Sequence, residues 1–291
     1  MGRNYKGFLT IVSMAWLVVA VGCDTGTSSA GGNAPAAPVA STPATPTEAE
    51  PASPEERPVV AETLPYAEIE QQLVYGHFAF PADMVDPLPG VIVIHERWGL
   101  DDSTRLLSER LAAQGYVVLA IDLFAGQVAD DGATSRKLML PVVENPEMAY
   151  ENIRQAHQFL VESGQAPRIA VLGWSFGGTQ AMNAAMELPD QLAAAVLYYG
   201  QVSTSEERLA ELSVPVLAIY GENDRGFTAD KVSDFEAAME SLGKDYQVEL
   251  YAGVGHGFAD PNGPNYNADA AEQAWTAALG FLGQHLVDTA N

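Results

Sequence analysis

A serine, an aspartate and a histidine in this chain have the residue types and the order that nucleophilic catalysis requires. Ser175 lies in the pentapeptide GWSFG at residues 173–177, which fits the G-x-S-x-G pattern of a nucleophile elbow. A serine hydroxyl is a weak nucleophile until a base takes its proton, and a third group must orient that base. At such an elbow the N–H of Phe176 can face a developing oxyanion. The alternative is a glycine-rich turn whose serine only caps the next helix.

The candidate base is His256. The chain has five histidines, and three of them precede Ser175 while His285 lies on the final predicted helix. Only His256 follows the serine in a loop directly beyond a predicted strand, and its flanking glycines would let that loop project an imidazole over the sheet edge. The alternative is an exposed turn histidine.

The candidate acid is Asp224, in the loop GEND at residues 221–224. This loop follows a predicted strand directly and lies between the serine and the histidine, as the order nucleophile, acid, histidine requires. Glu222 is the rival in the same loop, and we favour Asp224. Asp260 comes after His256 and is therefore out of order.

Strands that alternate with helices must position these residues. Apolar runs predict strands at 90–95, 116–121, 168–172, 193–199, 214–220 and 247–251, and two short strands within 69–80 with a turn around Gly76. Helices are predicted at 103–114, 146–163, 179–188, 227–242 and 268–286, whereas 130–140 is ambiguous. The pattern predicts an α/β domain over residues 66–291, with a mostly parallel sheet covered by helices on both faces. Functional loops should then lie beyond the carboxyl ends of the strands.

The amino-terminal region predicts export. Arg3 and Lys6 precede an apolar run at residues 8–21, which indicates a secretory signal over residues 1–22. The small residues before Cys23, the only cysteine, resemble the lipobox of bacterial lipoproteins. That resemblance implies cleavage before Cys23, lipid attachment to it, and a location on the periplasmic or cell-surface side of a bacterial membrane. The alternative is an uncleaved anchor.

Composition restricts the remaining classes of partner. Residues 23–65 are rich in Ala, Pro and Thr and predict a disordered tether behind the attachment cysteine. The formal net charge of −24 would repel nucleic acid and anionic lipid head groups. We therefore expect no nucleic-acid partner, and contact with a membrane only through the lipid.

Residues 69–286 resemble the dienelactone hydrolase family of α/β-hydrolases. The matching segments are 91–100, 120–124, 173–178, 221–224 and 255–258. The resemblance implies the α/β-hydrolase fold with an eight-stranded sheet, no cofactor, and hydrolysis of a carboxylic ester or lactone. It places the triad at Ser175, Asp224 and His256, and a second oxyanion donor at the N–H of Arg97. A family glutamate corresponds to Glu96.

The chain also departs from this family. Founding members carry cysteine where Ser175 stands, so Glu96 is either an auxiliary catalytic group or a structural carboxylate that pairs with loop N–H groups. Arginines that hold a substrate carboxylate in those enzymes are replaced by Gly126 and Asp260. We therefore expect a neutral substrate, unless Arg97 or Arg136 swings towards the pocket.

The sequence thus predicts a serine hydrolase that cleaves small neutral esters or lactones. A peptidase on the same fold and a catalytically silent binding lipoprotein are the alternatives. Adjacent residues on a strand point to opposite faces, so His95 and Glu96 do not make a metal pair, and we expect no metal. Nothing in the sequence indicates the oligomeric state.

Overall fold

Eight strands form one mixed sheet within residues 57–287, the part of the chain that the computed structural model describes. The strands are β1 (Val59–Ile69), β2 (Gln72–Pro81), β3 (Gly90–Ile94), β4 (Val117–Ile121), β5 (Ile169–Trp174), β6 (Ala194–Tyr198), β7 (Val216–Gly221) and β8 (Tyr246–Tyr251). Their order across the sheet is β1-β2-β4-β3-β5-β6-β7-β8. β2 is antiparallel to β1 and β4, and the other neighbouring strands are parallel.

Helices cover the sheet. They are α1 (Asp102–Ala113), α2 (Gly132–Glu144), α3 (Pro146–Glu162), α4 (Phe176–Glu187), α5 (Glu206–Leu209), α6 (Ala229–Ser241) and α7 (Ala268–Leu286). Every residue of β3 to β7 is buried, which requires helices on both faces of the sheet. This confirms the predicted α/β architecture.

Most predicted elements are present within a few residues of the expected bounds. The ambiguous segment 130–140 is helical as part of α2, where Asp131 caps the helix by accepting from the N–H groups of Ala133 and Thr134. In α7 the predicted apolar face is buried at Trp275 and Leu282. A face of this kind packs against the sheet because burial of its apolar area removes it from water.

The predicted hairpin turn around Gly76 is wrong. The turn lies at Glu70 and Gln71, which both have positive φ, and Gly76 sits inside β2 opposite Leu64. The turn has neither the Gly nor the Asn that usually marks a two-residue hairpin loop. Gly76 serves another purpose, because a Cβ there would lie 2.8 Å from the carbonyl oxygen of Ala120 on β4.

The predicted start of the domain at residue 66 is also too late. β1 begins at Val59, and residues 59–65, which the composition assigned to the tether, pair with residues 75–81 of β2. This strand lies at the sheet edge and is largely exposed. Backbone hydrogen bonds to β2 hold it in place, and composition does not report such bonds.

The predicted signal, Cys23 and residues 23–56 of the tether lie outside the described residues. Within residues 57–287, no helix has the length and hydrophobicity needed to cross a membrane.

Candidate active site

Ser175 occupies a sharp turn between β5 and α4. Its φ of 52° and ψ of −113° are strained for a residue with a side chain. The turn is held because the Ser175 N–H donates to the carbonyl of Tyr198 at 2.8 Å and the Ser175 carbonyl accepts from the N–H of Thr179 at 3.0 Å. This geometry matches the elbow that the pentapeptide predicts, and it lifts the hydroxyl above the carboxyl edge of the sheet.

Glycines allow the chain to pass closely on both sides of this turn. A Cβ at Gly173 would overlap the carbonyl of Gly177, and one at Gly177 would overlap the carbonyl of Ile94 at the end of β3. The glycine pattern of the motif therefore reflects the approach of three backbone segments. The same approach brings the loop after β3 against the nucleophile turn.

Three side chains meet at this edge in a hydrogen-bonded chain. The Oγ atom of Ser175 lies 2.9 Å from Nε2 of His256, and Nδ1 of His256 lies 2.8 Å from Oδ2 of Asp224. Asp224 stands in the loop after β7, and His256 in the loop after β8. The chain from hydroxyl to imidazole to carboxylate is the arrangement that activates a serine.

The environment of Asp224 keeps its carboxylate charged and fixed. Its side chain is fully buried, whereas that of His256 is 45% exposed. Burial alone would raise the pKa of Asp224, but the hydrogen bond and charge of His256 and the N–H groups of Gly226 and Phe227 outweigh it and hold the pKa below its usual value. The rival Glu222 is exposed and accepts instead from the N–H of Gly253 at 3.1 Å.

The two predicted oxyanion donors lie in the nucleophile turn and in the loop after β3, which begins against that turn. Phe176 is the first residue of α4, and Arg97 lies in the loop after β3. Among the hydrogen bonds of residues 57–287, neither N–H donates to a protein acceptor. The amino terminus of α4 adds a partial positive charge there, which favours a developing anion. The guanidinium of Arg97 stacks on Trp98 at 4.2 Å.

Glu96 lies beside this group of residues and is half-buried. Its carboxylate accepts from the hydroxyl of Tyr199 at 3.3 Å, and in the described part of the chain no backbone N–H donates to it. Burial and the negative charge of Asp260 raise the pKa of Glu96 to about 7, against the opposing charge of His256. The ring of Tyr199 also packs 5.0 Å from that of His256. Glu96 is therefore coupled to the histidine both electrostatically and through Tyr199.

The substitutions noted in the sequence have different surroundings. Asp260 lies near enough to Glu96 to shift its pKa, and its Oδ1 atom accepts from the N–H of Asn262. Gly126 has a φ of +80°, and an added Cβ would meet nothing within 4 Å. Of the two positions where the family has arginines, one therefore carries the negative charge of Asp260, and the other, Gly126, borders open space.

Sequence reasoning missed two residues that hold the loops of this edge. The buried imidazole of His95 donates from Nδ1 to the Glu96 carbonyl and accepts at Nε2 from the N–H of Leu123. Asp122 accepts from the N–H groups of Phe124 and Gly126. Together they tie the loop after β3 to the loop after β4. Both residues follow strands directly, which is a signal that the sequence offers. Their hydrogen-bond partners in the neighbouring loop are not apparent from the sequence.

A metal-binding cluster is not found among residues 57–287, which contain no group of three or more His, Cys, Asp or Glu side chains placed to hold an ion. The chemistry that these residues can support is nucleophilic attack by Ser175, through its hydrogen-bonded chain to His256 and Asp224.

Comparisons with known proteins place most of the described residues in one family. The model of the dienelactone hydrolase family matches residues 74–286. Protein usf from Aquifex pyrophilus is 32% identical over 205 residues, covering 68% of this chain and 89% of that protein. A relative from Aquifex aeolicus, which carries the provisional name carboxymethylenebutenolidase, is 30% identical with the same coverage.

Solved structures share the fold. A dienelactone hydrolase-like promiscuous phosphotriesterase from metagenomic libraries superposes with a TM-score of 0.71 at 22% identity, covering 79% of this chain and 99% of that one. A thermophilic esterase from Thermogutta terrifontis gives a TM-score of 0.62 at 20% identity, with coverages of 79% and 95%. The family match extends over most of the described residues, including the loops that carry Ser175, Asp224 and His256. The chain therefore belongs to the dienelactone hydrolase family of α/β-hydrolase enzymes.

Proposed function

We propose that the protein is a serine hydrolase that cleaves small neutral carboxylic esters or lactones. The observation that carries the proposal is the hydrogen-bonded chain from Ser175 through His256 to Asp224, on a nucleophile with positive φ. The name of a relative from Bradyrhizobium, a probable 2-oxo-3-(5-oxofuran-2-ylidene)propanoate lactonase, supports a lactone as the bond that is cleaved. That named substrate is an anion, so the neutral preference proposed here is argued from this chain's own charges alone.

The geometry accounts for each step. Nε2 of His256 removes the hydroxyl proton of Ser175 as the oxygen attacks the substrate carbonyl. Asp224 holds the Nδ1–H tautomer and stabilises the imidazolium that forms. The N–H groups of Phe176 and Arg97 donate to the tetrahedral oxyanion. His256 then protonates the leaving alcohol, and a water molecule that His256 activates releases the acyl group from Ser175.

Preference for a neutral substrate follows from charge. Asp260 and, above its pKa, Glu96 place negative charge beside the triad. A substrate carboxylate ~4 Å from either group would be repelled by about 4 kcal/mol at an effective dielectric constant near 20, before solvent screening. Gly126 itself carries no cation, and Arg105 and Lys137 are the cations that line the cavity on that side.

An active-site probe tests the proposal. A fluorophosphonate should label Ser175 in the wild type and fail to label Ser175→Ala, and labelling should compete with a neutral p-nitrophenyl ester or a lactone. Turnover of that ester should fall by ~10⁶ in Ser175→Ala. Labelling at another serine, or equal turnover by the variant, would contradict the assignment.

We also propose that the protein is exported and held on the periplasmic or cell-surface side of a bacterial membrane by lipid on Cys23. The apolar run and small residues before that cysteine support this. Residues behind Cys23 would then let the hydrolase domain act at a distance from the membrane surface.

A further inference from the structure

A cavity lies at the carboxyl edge of the sheet, beside the edge strands. It has a volume of about 660 Å³ and is bounded by the β1–β2 hairpin, the loop after β4, α2 and α3. This volume is within the range of small-molecule sites, roughly 300–1,000 Å³. Its apolar walls include Leu73, Tyr75, Leu138, Val142 and Met148.

The wall of this cavity is shared with the nucleophile turn. Phe124 lines the cavity, and its ring lies 5.7 Å from that of Phe176, the residue that follows Ser175. Phe124, Phe176, Val142 and Ala149 form a buried cluster of their own, separate from the main core. The cavity and the nucleophile turn therefore adjoin at Phe124.

Several polar groups that line the cavity have partners within the protein. Asp122 accepts from the N–H groups of Phe124 and Gly126, and its carbonyl accepts from the amide of Asn152. The guanidinium of Arg105 donates to the hydroxyl of Thr63 at 3.2 Å. Glu70 and Lys137 also line the cavity, and both are exposed, so the buried part of the lining offers an incoming molecule mainly apolar contact.

Sheet order determines which part of a substrate can reach this cavity. His256 follows β8 at one end of the sheet, whereas the cavity lies beside β2 and β4 towards the other end. Because His256 must protonate the leaving alcohol, that alcohol lies on the β8 side of Ser175. The side of Ser175 towards Phe124 is then left for the acyl group.

We infer that the cavity is the acyl subsite, and that the enzyme favours esters with extended apolar acyl groups. This inference rests on the proposed function and names the substrate class of that same site. Each methylene removed from water contributes on the order of 0.8 kcal/mol in an apolar site. Rates should therefore rise with acyl length until the cavity is filled.

The experiment compares p-nitrophenyl acetate with p-nitrophenyl octanoate in the wild type and in variants of α2. Leu138→Trp fills the cavity, while Leu140→Trp is the matched control, since Leu140 is on the same helix, is 50% exposed and does not line the cavity. We expect kcat/KM of the wild type to be at least about tenfold higher for the octanoate. That ratio should fall about tenfold in Leu138→Trp, with acetate turnover retained, and stay unchanged in Leu140→Trp.

The outcomes separate this inference from the proposed function. If the wild type turns over acetate through Ser175 but its rate is independent of acyl length, or if both substrates fall equally in Leu138→Trp, the acyl subsite is wrong and the hydrolase stands. If Ser175 is neither labelled nor required for turnover, both fail. Should Leu138→Trp not fold, Met148→Trp fills the cavity from α3, and retention of the full octanoate preference there overturns the inference.

Discussion

Replacement of Asp224 by Asn tests the triad most sharply, because it changes charge and tautomer with little change in shape. In the wild type, Oδ1 accepts from the N–H groups of Gly226 and Phe227, and Oδ2 faces Nδ1 of His256. The amide oxygen of Asn should keep the backbone donors, which leaves its NH₂ group facing His256. Nδ1 must then accept, so Nε2 carries the hydrogen and cannot take the proton of Ser175.

The expected loss is large. At the observed 2.8 Å separation, a carboxylate and an imidazolium attract by about 6 kcal/mol at an effective dielectric constant near 20. This is an upper value, because His256 is 45% exposed and solvent screens its charge. A wrong tautomer in such a triad lowers kcat by ~10⁴, which corresponds to about 5.5 kcal/mol. We therefore expect kcat of Asp224→Asn to fall by about three to four orders of magnitude.

The assay is turnover of a neutral p-nitrophenyl ester, with circular dichroism to establish that the variant folds. Glu222→Gln is the matched control from the same loop, because Glu222 is exposed and its side chain has one hydrogen bond among the described residues, from the N–H of Gly253. It should keep kcat within about twofold, as expected of an exposed substitution. Full activity of Asp224→Asn together with an inactive Glu222→Gln would refute the assignment of the acid.

Further predictions concern the turn, selectivity and the anchor. Gly177→Ala should lower Tm and abolish turnover, because its Cβ would overlap a carbonyl at the end of β3. Gly280→Ala is the control, because a Cβ there meets open space, and it should raise Tm slightly. Thermal melts and ester turnover measure both variants. The carboxyl of Glu96 is neutral below its pKa of about 7 and anionic above it, so the preference for a neutral ester over its carboxylate analogue should increase as pH rises through 7. In Glu96→Gln, the ratio of kcat/KM for the neutral ester to that for its carboxylate analogue should no longer change with pH around 7. An unchanged pH dependence of this ratio would show that Glu96 does not cause it. Asp260→Arg should narrow the neutral preference at every pH, and a wild type that favours the anion would contradict the charge argument. Mass spectrometry of the membrane fraction should find lipid on an amino-terminal Cys23, and an unmodified soluble chain that starts elsewhere would contradict export as a lipoprotein.

Local sequence determined the central part of the fold and the candidate nucleophile. Buried parallel strands appear in the chain as continuous apolar runs, so β3 to β7 were predictable. The elbow was predictable because the close approach of backbones at residues 173–178 demands glycine. The order of Ser175, Asp224 and His256 along the chain then followed from the strand-end loops that carry them.

Only the tertiary structure determined the features that require segments distant in sequence to lie close together. Asp224 and Glu222 are near-equivalent in sequence, and only the position of the loop after β8 brings His256 to the former. The pairing of Glu96 with Tyr199 joins residues that are 103 positions apart. Likewise, β1 is a largely exposed edge strand that exists because β2 satisfies its backbone. The cavity beside Phe124 has walls from several elements that are distant in sequence. Hydrophobic periodicity records which face of an element is buried, but it carries no information on which distant residue will lie against that face, and so these features were decided only when the chain folded.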